Sequence, residues 1–198
     1  MTRKLVLLLL FCSLLTISSC GPKTKIAMDW SNPDYGKVRF NKVVAIAMSK
    51  DPIIRRVAED EFVDKLPKGT EGLASYALVP EDKRDDVDFL KKVLKEANVD
   101  GAAVFSLVSE DMKFEFNRGN PHYNFWSYYG WAYPTVYGSS YLMTETVLRI
   151  YCAVYEVENA TLVWSALSET TNADSTKKTI DDIVRKTIVR LKREGIVG

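Results

Sequence analysis

The chain has 198 residues, 27 basic against 26 acidic side chains, and a formal net charge of +1. That balance lacks the basic excess needed to hold a phosphate backbone, so nucleic acid is not an expected partner. With 46% apolar residues, three cysteines and one histidine, the chain can build a core but not a disulfide scaffold or a multi-histidine metal site.

Arg3 and Lys4 open the chain with positive charge, and Leu5 to Leu15 form an apolar run broken only by Cys12 and Ser13. Ile17-Ser18-Ser19 then leads to Cys20. This order reads as a secretory signal, and the run is too short to cross ~30 Å of hydrocarbon as a permanent helix. Ile17-Ser18-Ser19-Cys20 resembles the lipobox of bacterial lipoproteins. The resemblance implies diacylglycerol on Cys20, cleavage just before it and acylation of the new amino terminus, a multi-chain anchor that holds stably. Gly21 follows in place of an aspartate, which in those bacterial families implies the default route to the outer membrane, facing the periplasm. The alternative is an ordinary cleaved signal in which Cys20 is incidental. Without residues 1–19 the chain has 179 residues and 25 basic against 26 acidic side chains, one domain by size. Cys152 is then the sole free thiol, so no intrachain disulfide is expected.

Residues 20–37 read as a lipidated tether, rich in Pro, Gly, Lys and Asp. From residue 21 on it reaches roughly 55–60 Å when extended. Ile26-Ala27-Met28 with Trp30 offers a short edge strand instead. Val43 to Met48 is a continuous apolar run, the pattern of a strand covered on both faces. Asp51 is placed to cap a helix with Pro52 at its first position. That helix is expected to bury Ile54, Ala58, Phe62 and Leu66, with Ile53 and Val57 beside them. Arg55/Glu59 and Arg56/Asp60 then pair on its wet side, and Pro67 and Gly69 stop it. Leu73 to Val79 predicts a second strand. Lys83 to Ala97 predicts a second helix burying Val87, Leu90, Val93, Leu94 and Ala97, with Asn98 in the left-handed position that ends it. Ala102 to Val108 predicts another buried strand, which Met112 to Phe116 can prolong past a kink.

Thr144 to Tyr155 alternate, with Thr146, Leu148, Ile150, Cys152 and Val154 on one face. Glu158-Asn159-Ala160 turns the chain, and Thr161 to Leu167 return, completing a β-hairpin. Ser175 to about Glu194 predicts a closing helix with Ile180, Ile183, Val184, Ile188 and Leu191 at helical spacing and Gly195 as its stop. The fold class expected for residues 38–198 is α/β with α+β character. It is a single domain running β-α-β-α-β, then a hairpin and a C-terminal helix, with a mixed sheet packed by helices. This layout resembles the α/β domain of TolB-type amino-terminal regions and of curli-secretion and penicillin-binding-protein-activator lipoproteins. A closer likeness is to poorly characterised bacterial envelope lipoproteins in which a Trp-bearing strand, like Ala160-Thr161-Leu162-Val163-Trp164, precedes a closing helix that ends near a Gly. These resemblances imply an accessory or assembly role rather than catalysis.

The unusual stretch is residues 121–141, which hold nine of the 22 aromatics: Tyr123, Phe125, Trp126, Tyr128, Tyr129, Trp131, Tyr133, Tyr137 and Tyr141. Gly130, Pro134, Gly138, Ser139 and Ser140 interrupt any regular pattern, so residues 118–140 read as a long aromatic loop. Three readings stay open. The loop folds back as a flap whose rings become core, it displays a platform for a protein partner, or its rings meet glycan or the membrane interface. Tyr123, Phe125, Trp126, Tyr128, Tyr129, Trp131 and Tyr133 are the candidate binding residues.

His122 stands alone, no HExxH or CxxC occurs, and no cofactor or metal is expected. Cys152, alternating with apolar neighbours, reads as an inert buried thiol. The acidic clusters at Glu59-Asp60-Glu61, Glu81 to Asp88 and Asp181-Asp182 read as solvated helix faces. No Gly-rich phosphate loop or GxSxG elbow is present. The expected function is a non-enzymatic accessory or partner-binding role for a protein held to the membrane by acyl chains on Cys20, with an envelope protein or glycan as partner. A glycan-acting envelope hydrolase using two unannounced carboxylates and a self-associating structural lipoprotein are the alternatives.

Overall fold

The structure is a computed structural model that describes residues 23–36, 38–108, 123–138, 147–171, 173 and 175–198. The signal segment, Cys20, His122 and Met112 to Phe116 lie outside the described residues. The strands are β1 (Lys23–Ser31), β2 (Lys42–Met48), β3 (Glu71–Ala74), β4 (Gly101–Leu107), β5 (Val147–Glu156) and β6 (Thr161–Thr171). The helices are α1 (Pro52–Lys65), α2 (Ser75–Leu78), α3 (Val87–Glu96), α4 (Phe125–Gly138) and α5 (Thr176–Arg193), with a 3-10 turn at Glu81–Lys83. The expected α/β class holds.

All six strands form one mixed sheet in the order β1-β6-β5-β4-β2-β3. β2 runs parallel to β3 and β4, and the remaining pairs are antiparallel. The chain moves outward from β2 to β3, then doubles back past β2 to β4. Crossovers of one hand then put α1 on one face and α3 on the other. Both faces of β2 are therefore covered. Val44, Ile46 and Met48 join Leu90 and Leu94 of α3, while Val43 and Ala45 join Phe62 of α1 and Val184, Ile188 and Leu191 of α5. This is why the strand reads as an unbroken apolar run.

A one-residue bulge at Val163 decides the facing of β6, since Val154 pairs with Trp164 but Tyr155 with Leu162. Leu162 thereby serves the α3 side and Trp164 the α5 side, although period-two alternation would place both on one. Phe40 seals the end of the sheet against Gly101, where an added Cβ would lie 2.7 Å from its ring.

Local signals account for several boundaries. Asp51 accepts hydrogen bonds from the Ile53 and Ile54 N–H groups at 2.8 and 3.3 Å, with Pro52 in the first turn of α1. Asp86 caps α3 through the Phe89 N–H, so the helix starts at Val87 rather than Lys83. Asn98 takes φ 53° after α3, as expected. In the hairpin turn the positive φ falls on Ala160.

Four expectations are corrected. Residues 23–31 of the expected tether are β1, an edge strand paired along β6, and Lys23, Lys25 and Asp29 give it the charge that blunts an open edge. Leu73 to Val79 is not one strand, because β3 ends at Ala74 and α2 follows. Residues 125–138 of the expected aromatic loop 118–140 are the helix α4. Finally, α1 turns a different face inward. Arg55 and Glu59 are 4% and 0% exposed, while Ile53 is 71% exposed.

The differences at β3 and α1 share a cause. β3 pairs with β2 only as far as Ala45, so the next inward N–H of β2, at Ala47, needs another acceptor. Glu59 supplies it. Its Oε1 accepts from the Ala47 N–H at 3.0 Å, Arg55 Nε at 3.1 Å and Ser75 Oγ at 2.8 Å, and its Oε2 accepts from the Tyr76 N–H at 2.9 Å. Arg55 Nη2 also donates to Ser75 Oγ at 3.0 Å. The carboxylate thus takes the place of the missing strand and starts α2.

Candidate functional site

α4 lies over the sheet on the α3 side. Asn124 begins it: its Oδ1 accepts from the Ser127 N–H at 3.1 Å and its backbone oxygen accepts the first intrahelical bond, from Tyr128 N–H, at 2.9 Å. The Phe125 N–H donates to the Ala160 oxygen at 2.8 Å, so the start of the helix is tied to the hairpin turn.

Among the described side chains of α4, five are core. Phe125, Tyr128, Tyr129, Ala132 and Tyr133 are all at most 7% exposed and follow the helical spacing i, i+3, i+4, i+7, i+8. The Phe125 ring lies 5.3 Å from Tyr155, and Tyr128 stacks on Tyr155 at 6.0 Å and meets Tyr151 edge-on at 5.9 Å. Buried phenols need partners. Tyr128 Oη and Ser106 Oγ share a hydrogen bond at 2.5 Å, and Tyr129 Oη donates to the Arg84 backbone oxygen at 2.6 Å. The flap reading describes these rings, and a binding platform does not.

Of the seven candidate binding residues, Phe125, Tyr128, Tyr129 and Tyr133 therefore belong to the core. Tyr123 is half-buried, receives a hydrogen bond from Asn32 Nδ2 at 2.9 Å and touches Trp30 edge-on at 6.4 Å. Trp126 is half-buried beneath Lys91, whose Nζ lies 5.4 Å from the ring. Trp131 alone among the seven is exposed, at 38%.

Among the described side chains, the outer stripe of α4 holds Ser127, Gly130, Trp131 and Pro134, all exposed, again at i, i+3, i+4, i+7. No residue of α4 carries a charge. A surface helix ordinarily turns charged residues outward. Here one large ring stands among small neutral neighbours, an arrangement suited to seating in another surface, because interface centres favour Trp and are depleted of charge. The composition of Phe125 to Gly138 carried this signal, but its Gly and Pro residues concealed the helix that displays it.

The carboxylate that meets Lys91 is solvated. Asp88, which meets Lys91 at 3.5 Å, has a side chain 94% exposed. Elsewhere Glu169 bridges Lys25 and Arg149 at 2.9 and 3.1 Å across three strands, and those cations hold its carboxyl below the usual range. Among the described residues no group of three or more His, Cys, Asp or Glu is placed to hold a metal ion. No helix among them is long and apolar enough to cross a membrane.

Cys152 is a free thiol, 3% exposed, and its burial pushes its pKa up, as burial does for Tyr128, Tyr151 and Tyr155. These groups stay protonated in the folded chain after their unfolded counterparts would ionise. Their contribution to stability is therefore complete below the ordinary values, about 8.5 for Cys and about 10 for Tyr, and is lost as pH rises beyond them. Alkaline titration is expected to release the buried tyrosinates in one step together with loss of the near-ultraviolet dichroism. Cys152 should stay unreactive to thiol reagents until that step. Modification of Cys152 at neutral pH with the dichroism intact would contradict this.

No protein-family model and no curated protein matches the chain. Among solved structures, the chain is similar to the PelC dodecamer from Paraburkholderia phytofirmans, at 13% identity and a TM-score of 0.46, over 89% of this chain and 99% of that one. It is also similar to a point variant of that dodecamer, at 12% identity and a TM-score of 0.45, over 85% and 98% of the two chains. Likenesses at this level carry no argument about function.

Proposed function

We propose that this chain is a bacterial envelope lipoprotein, anchored through acyl chains on Cys20, that binds a protein partner without catalysing a reaction. The order of Arg3-Lys4, the apolar run and Ile17-Ser18-Ser19-Cys20 supports the anchor and, with Gly21, an outer-membrane position facing the periplasm. The observation that carries the binding role is the charge-free outer stripe of α4 with Trp131 at its centre. The solvated Asp88 carboxylate, paired with the Lys91 that lies over Trp126, supports binding over glycan hydrolysis, which needs two converging carboxyl groups.

The test is photocrosslinking in intact cells with a photoreactive residue at position 131, and at position 53 as an exposed control on α1. The expected result is one stoichiometric protein adduct from position 131 and none from position 53. Adducts with lipid or glycan alone, no adduct, or the same adducts from both positions would each overturn the proposal.

A further inference from the structure

β1 begins at Lys23, so Gly21 and Pro22 are all that separates the sheet from Cys20. Three residue steps reach at most about 11 Å, so an acylated Cys20 holds the start of β1 against the lipid headgroups. α5 runs beside β1 in the same direction, tied to it in order by three contacts. The Thr24 N–H donates to Asp182 Oδ2 at 3.0 Å, Arg190 meets Asp29 at 3.5 Å, and Ser31 Oγ donates to Glu194, just past the helix, at 3.3 Å. The anchor therefore brings the β1–α5 edge of the domain to the bilayer, and a tilt about it lays the roughly 27 Å of α5 on the surface.

The charge of α5 suits that position. The helix carries seven of the chain's 27 basic side chains and two of its 26 acidic ones, a local excess in a chain that is otherwise acidic. Both acids serve the fold: Asp181 meets Lys65 at 2.7 Å, and Asp182 holds the Thr24 N–H and pairs with Arg185. Lys177, Lys178, Lys192 and Arg193 are exposed and form no salt bridge among the described residues. The helix dipole favours Lys192 and Arg193 in the last turn but disfavours Lys177 and Lys178 near the start, where the first turn holds no acid to offset them. Val189 is 57% exposed on the same outer face, and Arg185, Lys186, Lys192 and Arg193 surround it at i−4, i−3, i+3 and i+4. Lys and Arg clustered beside a membrane anchor bind anionic lipid, roughly fivefold more tightly for each cation at the surface. An acidic protein offers the same charge, but the two-residue link sets the bilayer against this edge.

We infer that the outer face of α5, with the β1 edge beside it, docks on the anionic phospholipid of the leaflet that holds the anchor. The inference rests on the proposed acylation of Cys20. It leaves the outer stripe of α4, on the other face of the sheet, clear for a protein partner. The test uses the full chain extracted from native membranes and placed in vesicles of phosphatidylcholine, alone or with an equal part of phosphatidylglycerol. A nitroxide on Val189→Cys, and in separate chains on Ile53→Cys and Trp131→Cys, is read by its collisions with a neutral, water-soluble nickel chelate. With phosphatidylglycerol the collision rate at position 189 should fall several-fold, and molar salt should restore it. Positions 53 and 131 should not change. Lys178→Glu/Lys192→Glu/Arg193→Glu alters exposed positions alone, so it should keep the wild-type dichroism while holding position 189 at its phosphatidylcholine value in both lipids. Equal accessibility of position 189 in the two lipids, an equal fall at 53 and 131, or a fall that survives the triple substitution would overturn the docking face with the anchor intact. An amino-terminal peptide without acyl chains from the same preparation would instead overturn the anchor, and the docking with it.

Discussion

Replacing Glu59 by alanine is expected to destabilise the domain by about 3–5 kcal/mol, the usual cost of breaking a buried ion pair by removing one partner. Arg55 would keep its charge at 4% exposure, with Ser75 and the distant, exposed Glu81 at 3.8 Å as its remaining contacts. The Ala47 and Tyr76 N–H groups would also lose their acceptor, at about 1–3 kcal/mol for each unsatisfied group, though these costs overlap and do not simply add. For a domain of this size each kcal/mol lowers Tm by about 2–4 °C, so a drop of roughly 6–20 °C is expected. Glu59→Gln should fall between, because an amide keeps one acceptor but turns a donor toward donors. Urea denaturation followed by circular dichroism measures both. A change below about 0.5 kcal/mol for Glu59→Ala, the range of ordinary surface substitutions, would show that the pair stands in water as its i,i+4 spacing alone suggests.

Two substitutions within α4 should differ sharply. Phe125 is 0% exposed between Tyr155 and Tyr129, so Phe125→Ala is expected to cost about 3–5 kcal/mol through lost burial and the cavity left behind. Trp131→Ala should change stability by no more than about 0.5 kcal/mol while removing the ring at the centre of the outer stripe. Denaturation midpoints of the two variants against wild type are the check. Equal, small effects would mean that α4 does not pack on the sheet, and equal, large effects would make Trp131 a core residue and remove the basis for a docking surface.

The parts of the fold legible in the sequence are those whose cause is local. The apolar run Val43 to Met48, the Asp51-Pro52 start of α1, Asn98 after α3, and the alternation of Leu148, Ile150, Cys152 and Val154 each follow from contacts within or between neighbouring elements. What the sequence hid depends on distant partners. An Arg-Glu pair four residues apart looks the same whether wet or buried, and only the unpaired N–H groups of Ala47 and Tyr76 turn it inward. The same carboxylate ends β3 early, which no pattern in Leu73 to Val79 announces. In β1, Lys and Asp are edge-strand chemistry that reads as a tether until β6 is alongside.

The candidate site was half legible. Aromatic density marked the right segment, and the spacing of Phe125, Tyr128, Tyr129, Ala132 and Tyr133 already described a helix with one buried face. Gly130 and Pro134 argued against it, yet both sit on the exposed side, where burial of the opposite face outweighs their poor helix propensity.

The anchor is tested most directly by mass spectrometry of the amino-terminal peptide from protein extracted from native membranes. The account predicts a peptide that begins at Cys20 and carries a diacylglyceryl thioether together with an amide-linked acyl chain. A peptide with a free thiol at Cys20, or one still continuous with Ser18 and Ser19, would contradict it.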